Sequence, residues 1–118
     1  MTVTELTTES EDRGGIHLIH VSGPLDSISH DPFKNLLDPM LNQPRVRIVL
    51  DCENLTYVNS RGLTLFAHYQ RAAASNLSFF GVAALSPRIL KAIELLGMGK
   101  LVRLYPTVEE ALRAAESL

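Results

Sequence analysis

A chain of 118 residues, 46% apolar and 20% charged, is sized for one domain with a single core. Its net charge of −2, with acids and bases interspersed and no Trp, argues against a nucleic-acid surface. A lone cysteine, Cys52, excludes an internal disulfide and a multi-cysteine zinc site. No apolar run approaches the ~18 residues of a membrane span, and the acidic, polar start lacks the form of a signal peptide. The expected location is cytoplasmic, without membrane insertion.

The first expected element is a strand over "TVTELTTES" (2–10), where threonines and apolar residues alternate. The cluster "EDRGG" (11–15) predicts a turn, because Gly14 and Gly15 can take positive φ. A second strand, "IHLIHVSG" (16–23), follows, so the pair reads as a hairpin ending at Gly23-Pro24. Asp31 before Pro32 predicts a capped helix over "PFKNLLDPMLNQ" (32–43) that buries Phe33, Leu36, Leu37 and Met40 or Leu41. Pro39 removes a backbone donor inside it, so a kink or break is expected there.

"RVRIVLDC" (45–52) is the strongest strand signal, rich in β-branched residues. A helix over 60–74 follows, with Leu63, Phe66, Ala67, Gln70 and Ala74 as its expected inner stripe. "LSFFGV" (77–82) reads as a strand. "SPRILKAIELLGMG" (86–99) reads as a helix capped by Ser86, started by Pro87 and stopped at Gly97. "KLVRLY" (100–105) reads as a short strand. "PTVEEALRAAESL" (106–118) carries a capping box of Thr107 and Glu110. Strands alternating with helices predict an α/β domain with a mostly parallel sheet, made mixed by the leading hairpin.

Chemistry concentrates where apolar strands run out into small and polar residues, at Gly23–Ser29 and Asn54–Leu63. Ligands and partners of parallel sheets meet the carboxyl ends of strands. Ser60 sits where a helix begins. One reading makes it the cap of that helix. Another makes it a phosphorylation site, since a helix start tolerates an anion. Gly62 costs helix stability and calls for a close neighbour. Arg61 is an exposed cation or an anion-steadying one. Asp51 ends a strand as a receiver-domain phosphoacceptor does, but the acidic pair and the later lysine of that family are missing. Asp26 orders its loop or contacts a partner. His17, His20, His30 and His68 show no metal spacing, Cys52 reads as buried and inert, and no catalytic or cofactor motif occurs. Neither an enzyme activity nor a cofactor is expected.

The stretch "VLDCENLTYVNSRGLTLF" resembles the central signature of STAS domains, the fold of bacterial anti-sigma factor antagonists. That signature is an apolar strand ending in Asp, a spacer with an apolar residue, then Asp-Ser-Ser/Thr-Gly-Leu opening a helix. Asp51, Leu55, Val58, Ser60, Gly62 and Leu63 match it. "VSGPLDSIS" is similar to the family's Gly-x-Leu/Ile-Asp motif through Gly23, Leu25 and Asp26, and "ILKAIELLGMGKLVRLYPTVEEAL" is similar to its closing segment. The resemblance covers nearly the whole chain and implies one STAS domain over 1–118, with a core of about 14–116 and about four helices.

It further implies a switch. The unphosphorylated protein would bind an anti-sigma factor that is a GHKL-type serine kinase and so release a sigma factor. Phosphorylation of Ser60 would end binding, and a PP2C-type phosphatase would restore it. Asp26, Asn59, Arg61, Gly62 and Leu63 would form the docking surface. Two residues depart from the pattern: Asn59 stands for the usual Asp, and Arg61 for a small Ser or Thr. The change makes the surface more positive by two charges, enough to alter partner choice. The alternative is an unphosphorylated STAS scaffold, or a subunit of a lipid or anion transport complex. Self-association as a weak homodimer is left open.

Overall fold

The computed structural model describes residues 5–118. In chain order the elements are β1 (Thr7–Arg13), β2 (Ile16–Leu25), α1 (His30–Leu41), β3 (Arg47–Val58), α2 (Ser60–Ser75), β4 (Phe79–Ala83), α3 (Pro87–Leu95), β5 (Leu104–Tyr105) and α4 (Val108–Glu116). The strands form one sheet in the order β1-β2-β3-β4-β5. β1 and β2 are antiparallel and the other pairs are parallel. The expected mixed α/β sheet with a leading hairpin and four helices is the observed fold.

Helices cover both faces. Phe33, Leu37 and Leu41 of α1, Leu63 and Phe66 of α2, and Ile89 and Ile93 of α3 pack on Ile19, Val21, Ile48, Leu50, Phe80 and Val82. Ala111 and Ala115 of α4 pack on the opposite face, against Ile16, Leu18, Val49, Phe79 and Ala83. Alternate residues of β2, β3 and β4 thus feed two cores, which is why these strands read as near-continuous apolar runs.

Several boundaries differ from the sequence reading. β1 lies later than expected, at 7–13, and residues 2–4 of the expected strand lie outside the described residues. The turn shrinks to Gly14 and Gly15 at φ of 61° and 88°, the two-residue hairpin geometry that needs glycine. Asp12 Oδ1 accepts from the Gly15 amide at 2.7 Å and holds it closed.

β2 and β3 run on to Leu25 and Val58, two and six residues beyond expectation. Their pairing slips twice, between His20 and Ser22 and between Gly23 and Pro24, and each slip places an extra residue in β3. These bulges rephase the strand. Cys52 and Leu55, three apart, therefore both reach the same core.

Helix α1 starts at His30, after Ser29 and not after Asp31. Its course continues through Pro39 to Leu41, so no break occurs at the proline. α2 buries Leu65, Tyr69 and Ala73, whereas Gln70 is half-buried and Ala74 exposed, a stripe rotated from the one expected. Gln70 instead accepts from the Arg103 amide at 3.0 Å. α3 ends as expected on Gly97 at φ 69°, with Met98 N to Ile93 O and Gly97 N to Glu94 O, both 3.0 Å, closing a Schellman motif. Ser86 and Thr107 cap α3 and α4 as the sequence predicted. β5 keeps only two residues of the expected six.

Candidate functional site

The parallel strands β2 and β3 end side by side. The Asn59 amide donates to the Leu25 carbonyl at 3.1 Å, tying the end of β3 to the end of β2. Asn59 is extended and supplies the cap of α2: its Oδ1 accepts from the Gly62 amide at 2.9 Å. Capping therefore falls to Asn59 and not to Ser60. Ser60 is the first helical residue, is exposed, and its hydroxyl makes no side-chain hydrogen bond among the described residues. Its carbonyl accepts from Thr64 Oγ1 at 2.9 Å.

Gly62 and Leu63 lie beneath this surface. A Cβ on Gly62 would sit 2.6 Å from Val58 Cγ2 and 3.0 Å from Leu25 Cδ2. The close neighbour that Gly62 accommodates is thus the chain's own strand ends. Leu63 is 3% exposed and belongs to the core. Of the five residues expected on a docking surface, Asp26, Asn59 and Arg61 reach solvent; Gly62 and Leu63 are buried and set the position of α2.

Asp26 organises the loop between β2 and α1. Its Oδ1 accepts from the amides of Ile28 at 3.0 Å and Ser29 at 3.1 Å. Ser29 Oγ donates to the Pro24 carbonyl at 2.8 Å and accepts from the Asp26 amide at 2.9 Å, so it is not free to cap α1. The hydrogen bond from the Ser29 amide, foremost, holds the Asp26 carboxyl below its ordinary pKa, against a smaller upward pull of burial. The loop raises Ile28 to 85% exposure at its tip. Tyr57, near the end of β3, is also exposed. Sequence reasoning singled out neither; the available signal was a large apolar residue inside each of the two expected polar segments.

From Ser60 a groove of about 410 Å³ runs between α1 and α2. Lys34, Ser60, Arg61, Thr64, His68 and Arg71 line it, with His30 and Leu65 nearly buried in its wall. Its base is rigid. Phe33 and Phe66 meet edge to face at 6.3 Å, and Tyr69 Oη donates to Asp38 Oδ1 at 2.7 Å across the two helices. Burial, and secondarily the Asp38 carboxylate, keep the Tyr69 phenol protonated.

Asp51 faces the other side of the sheet and serves the scaffold. His20 Nδ1 lies 2.7 Å from Asp51 Oδ2, and its Nε2 lies 2.9 Å from Glu11 Oε1, so one ring bridges three strands. Glu11 first and Asp51 second raise the His20 pKa. Cys52 is fully buried, and burial pushes its thiol up, so it is inert as expected. Among the described residues no cluster of His, Cys, Asp or Glu is arranged to hold a metal, and no helix is long and apolar enough to cross a membrane.

A family model described as the STAS domain matches residues 7–111. The chain is 23% identical over 107 residues to the anti-sigma-F factor antagonist RsfB of Mycobacterium tuberculosis, covering 91% of this chain and 87% of that protein. It is 26% identical over 104 residues to the anti-sigma-B factor antagonist of Staphylococcus aureus, covering 88% and 96%. The crystal structure of an anti-sigma factor antagonist from Mycobacterium paratuberculosis matches with a TM-score of 0.85 at 27% identity, covering 98% of this chain and 99% of that one. The Bacillus cell fate determinant SpoIIAA, solved in its phosphorylated form, shares the fold at a TM-score of 0.69 and 21% identity, covering 92% and 98%.

Proposed function

The chain belongs to the STAS domain family, and within it we propose an anti-sigma factor antagonist switched at Ser60. In this reading the unphosphorylated surface binds an anti-sigma factor of the GHKL serine-kinase type and frees a sigma factor. Asp26, Asn59 and Arg61 contact the partner, and Gly62 and Leu63 hold α2 in place beneath them. The kinase transfers phosphate to Ser60, and a PP2C-type phosphatase removes it. The protein acts by binding in the cytoplasm and catalyses nothing itself.

One observation carries this reading: Ser60 is exposed at the start of α2 while Asn59 bears the cap. Phosphate on Ser60 therefore breaks no hydrogen bond of the fold. It adds about −1.5 to −2 charges at the positive end of a helix, where an anion is favoured. The fold survives and the surface charge changes, which is what a reversible switch requires. Existence of SpoIIAA in a phosphorylated form supports the analogy.

The test pairs the protein with candidate kinases of its own genome and ATP, then maps phosphate by mass spectrometry. Ser60 is expected to carry it, and Ser60→Asp to weaken kinase binding about 10-fold or more, ~1.4 kcal/mol. A kinase that binds the protein but never modifies Ser60 would refute the switch. Recovery of a transporter subunit as the cellular partner would favour the scaffold reading instead.

A further inference from the structure

We propose that the groove between α1 and α2 is the docking site for an acidic segment of the protein partner. The proposal rests on the reading of Ser60 as the docking centre and adds the chemistry of what docks there.

The groove is cationic on an anionic chain. Lys34, Arg61 and Arg71 line it and no carboxylate does, although the chain as a whole carries −2. Among the described residues Arg61 and Arg71 form no ion pair; Lys34 has only a 3.9 Å surface contact with Asp38. Asp31 stands beside the wall, 3.4 Å from His30 Nδ1, and among the described residues Arg61 and Arg71 are the lining charges that the fold leaves unpaired. The other cationic cluster is different. It comprises Arg45, Arg47 and Arg103, and two of the three are engaged: Arg47 donates to the Leu118 carbonyl at 3.3 Å, and Arg103 lies over the Phe79 ring at 5.6 Å. Cations left unpaired around a preformed cleft raise the local concentration of acidic groups and select among them.

Shape narrows the occupant to a peptide segment. Along α2 the lining runs from Ser60 to Arg71, about 17 Å of helix, and α1 adds one turn from His30 to Lys34, so the groove spans only a few turns of a docked helix or a short extended strand. Leu65 and the nearly buried His30 give it an apolar wall beneath a cationic rim. An amphipathic acidic segment satisfies both. A nucleic acid duplex or a lipid surface presents phosphates far beyond the edges of this groove, where its three cations cannot reach them.

Nuclear magnetic resonance of the full ¹⁵N-labelled chain titrated with an octaglutamate peptide tests this without any kinase. Shifts are expected at Lys34, Arg61, Thr64, His68 and Arg71. The double variant Lys34→Glu/Arg71→Glu is expected to lose about 10-fold or more in affinity, and Lys34→Gln/Arg71→Gln a smaller amount. Lys34 and Arg71 both reach solvent, and the unperturbed spectrum of the remaining residues verifies folding. The control Arg45→Glu/Arg103→Glu is expected to bind as the parent does. Equal loss in that control, shifts spread over all basic residues, or tighter binding of a DNA duplex or anionic vesicles would overturn the proposal. Success here with no phosphate ever found on Ser60 would leave the groove standing and remove the switch. Phosphate on Ser60 with no groove-centred binding would do the reverse.

Discussion

Asn59 caps α2 beside an exposed cationic surface, and one substitution separates its structural from its electrostatic effect. Asn59→Asp keeps the side-chain acceptor for the Gly62 amide and adds a negative charge at a helix start. It should raise stability by about 0.3–1 kcal/mol in urea unfolding and at the same time weaken octaglutamate binding. The new Cβ of Gly62→Ala would lie 2.6 Å from Val58 Cγ2, closer than Cβ atoms pack, and 3.0 Å from Leu25 Cδ2. The strain, about 1–3 kcal/mol, should outweigh the ~1 kcal/mol gained in helix propensity, so the midpoint of urea unfolding should fall. Leu63→Ala should cost about 2–5 kcal/mol by the same measurement, yet leave the affinity of the folded fraction unchanged, because its side chain is in the core. His20 gives the molecule a pH signature. Its pKa lies above the ordinary 6.5, so its contribution is complete below 6.5 and is lost as pH rises through the raised value. Glu11 is held below its ordinary 4.5, chiefly by its hydrogen bond to His20, and its contribution is lost as pH falls through that depressed value. Melting temperature should therefore drop in the parent as pH rises from 6.5 through the raised His20 value, and drop less in His20→Gln.

At the scale of elements, β1 is set apart by exposure. All seven of its residues are exposed, whereas β4 is wholly buried. Charged Glu9, Glu11, Asp12 and Arg13 guard this edge strand against pairing with another chain. Amide hydrogens of β1 should exchange early, and those of β3 and β4 only near global unfolding, a contrast that exchange mass spectrometry would read. Elements with strong periodicity or cap residues were legible in the sequence: β4, α3 and α4 lie where propensity and capping put them. The extension of β3 was not, because two bulges break its alternation and Glu53, Asn54, Thr56 and Tyr57 face outward. The inner stripe of α2 was legible in its first half, where Leu63, Phe66 and Ala67 are buried as expected. Gln70 and Ala74 fit helical spacing from Leu63, but the helix turns Leu65, Tyr69 and Ala73 inward instead.

For the whole molecule, the clustering of the candidate site residues was legible because parallel sheets gather their loops at one end. Asp26, Asn59, Ser60 and Arg61 were named from the sequence and lie around the ends of β2 and β3. The groove was not legible, since Lys34 and Arg71 stand far from Ser60 in sequence and meet it only once α1 packs beside α2. Strand order matters in another way, during synthesis. β1 to β5 lie side by side in the order they are made, so each strand leaving the ribosome finds its neighbour already waiting. Only the second face stays bare, with Ile16, Leu18, Val49 and Phe79 uncovered until α4 arrives. A nascent chain stalled before Val108 would therefore be an almost finished sheet with one greasy side, and that side is where a chaperone would hold it.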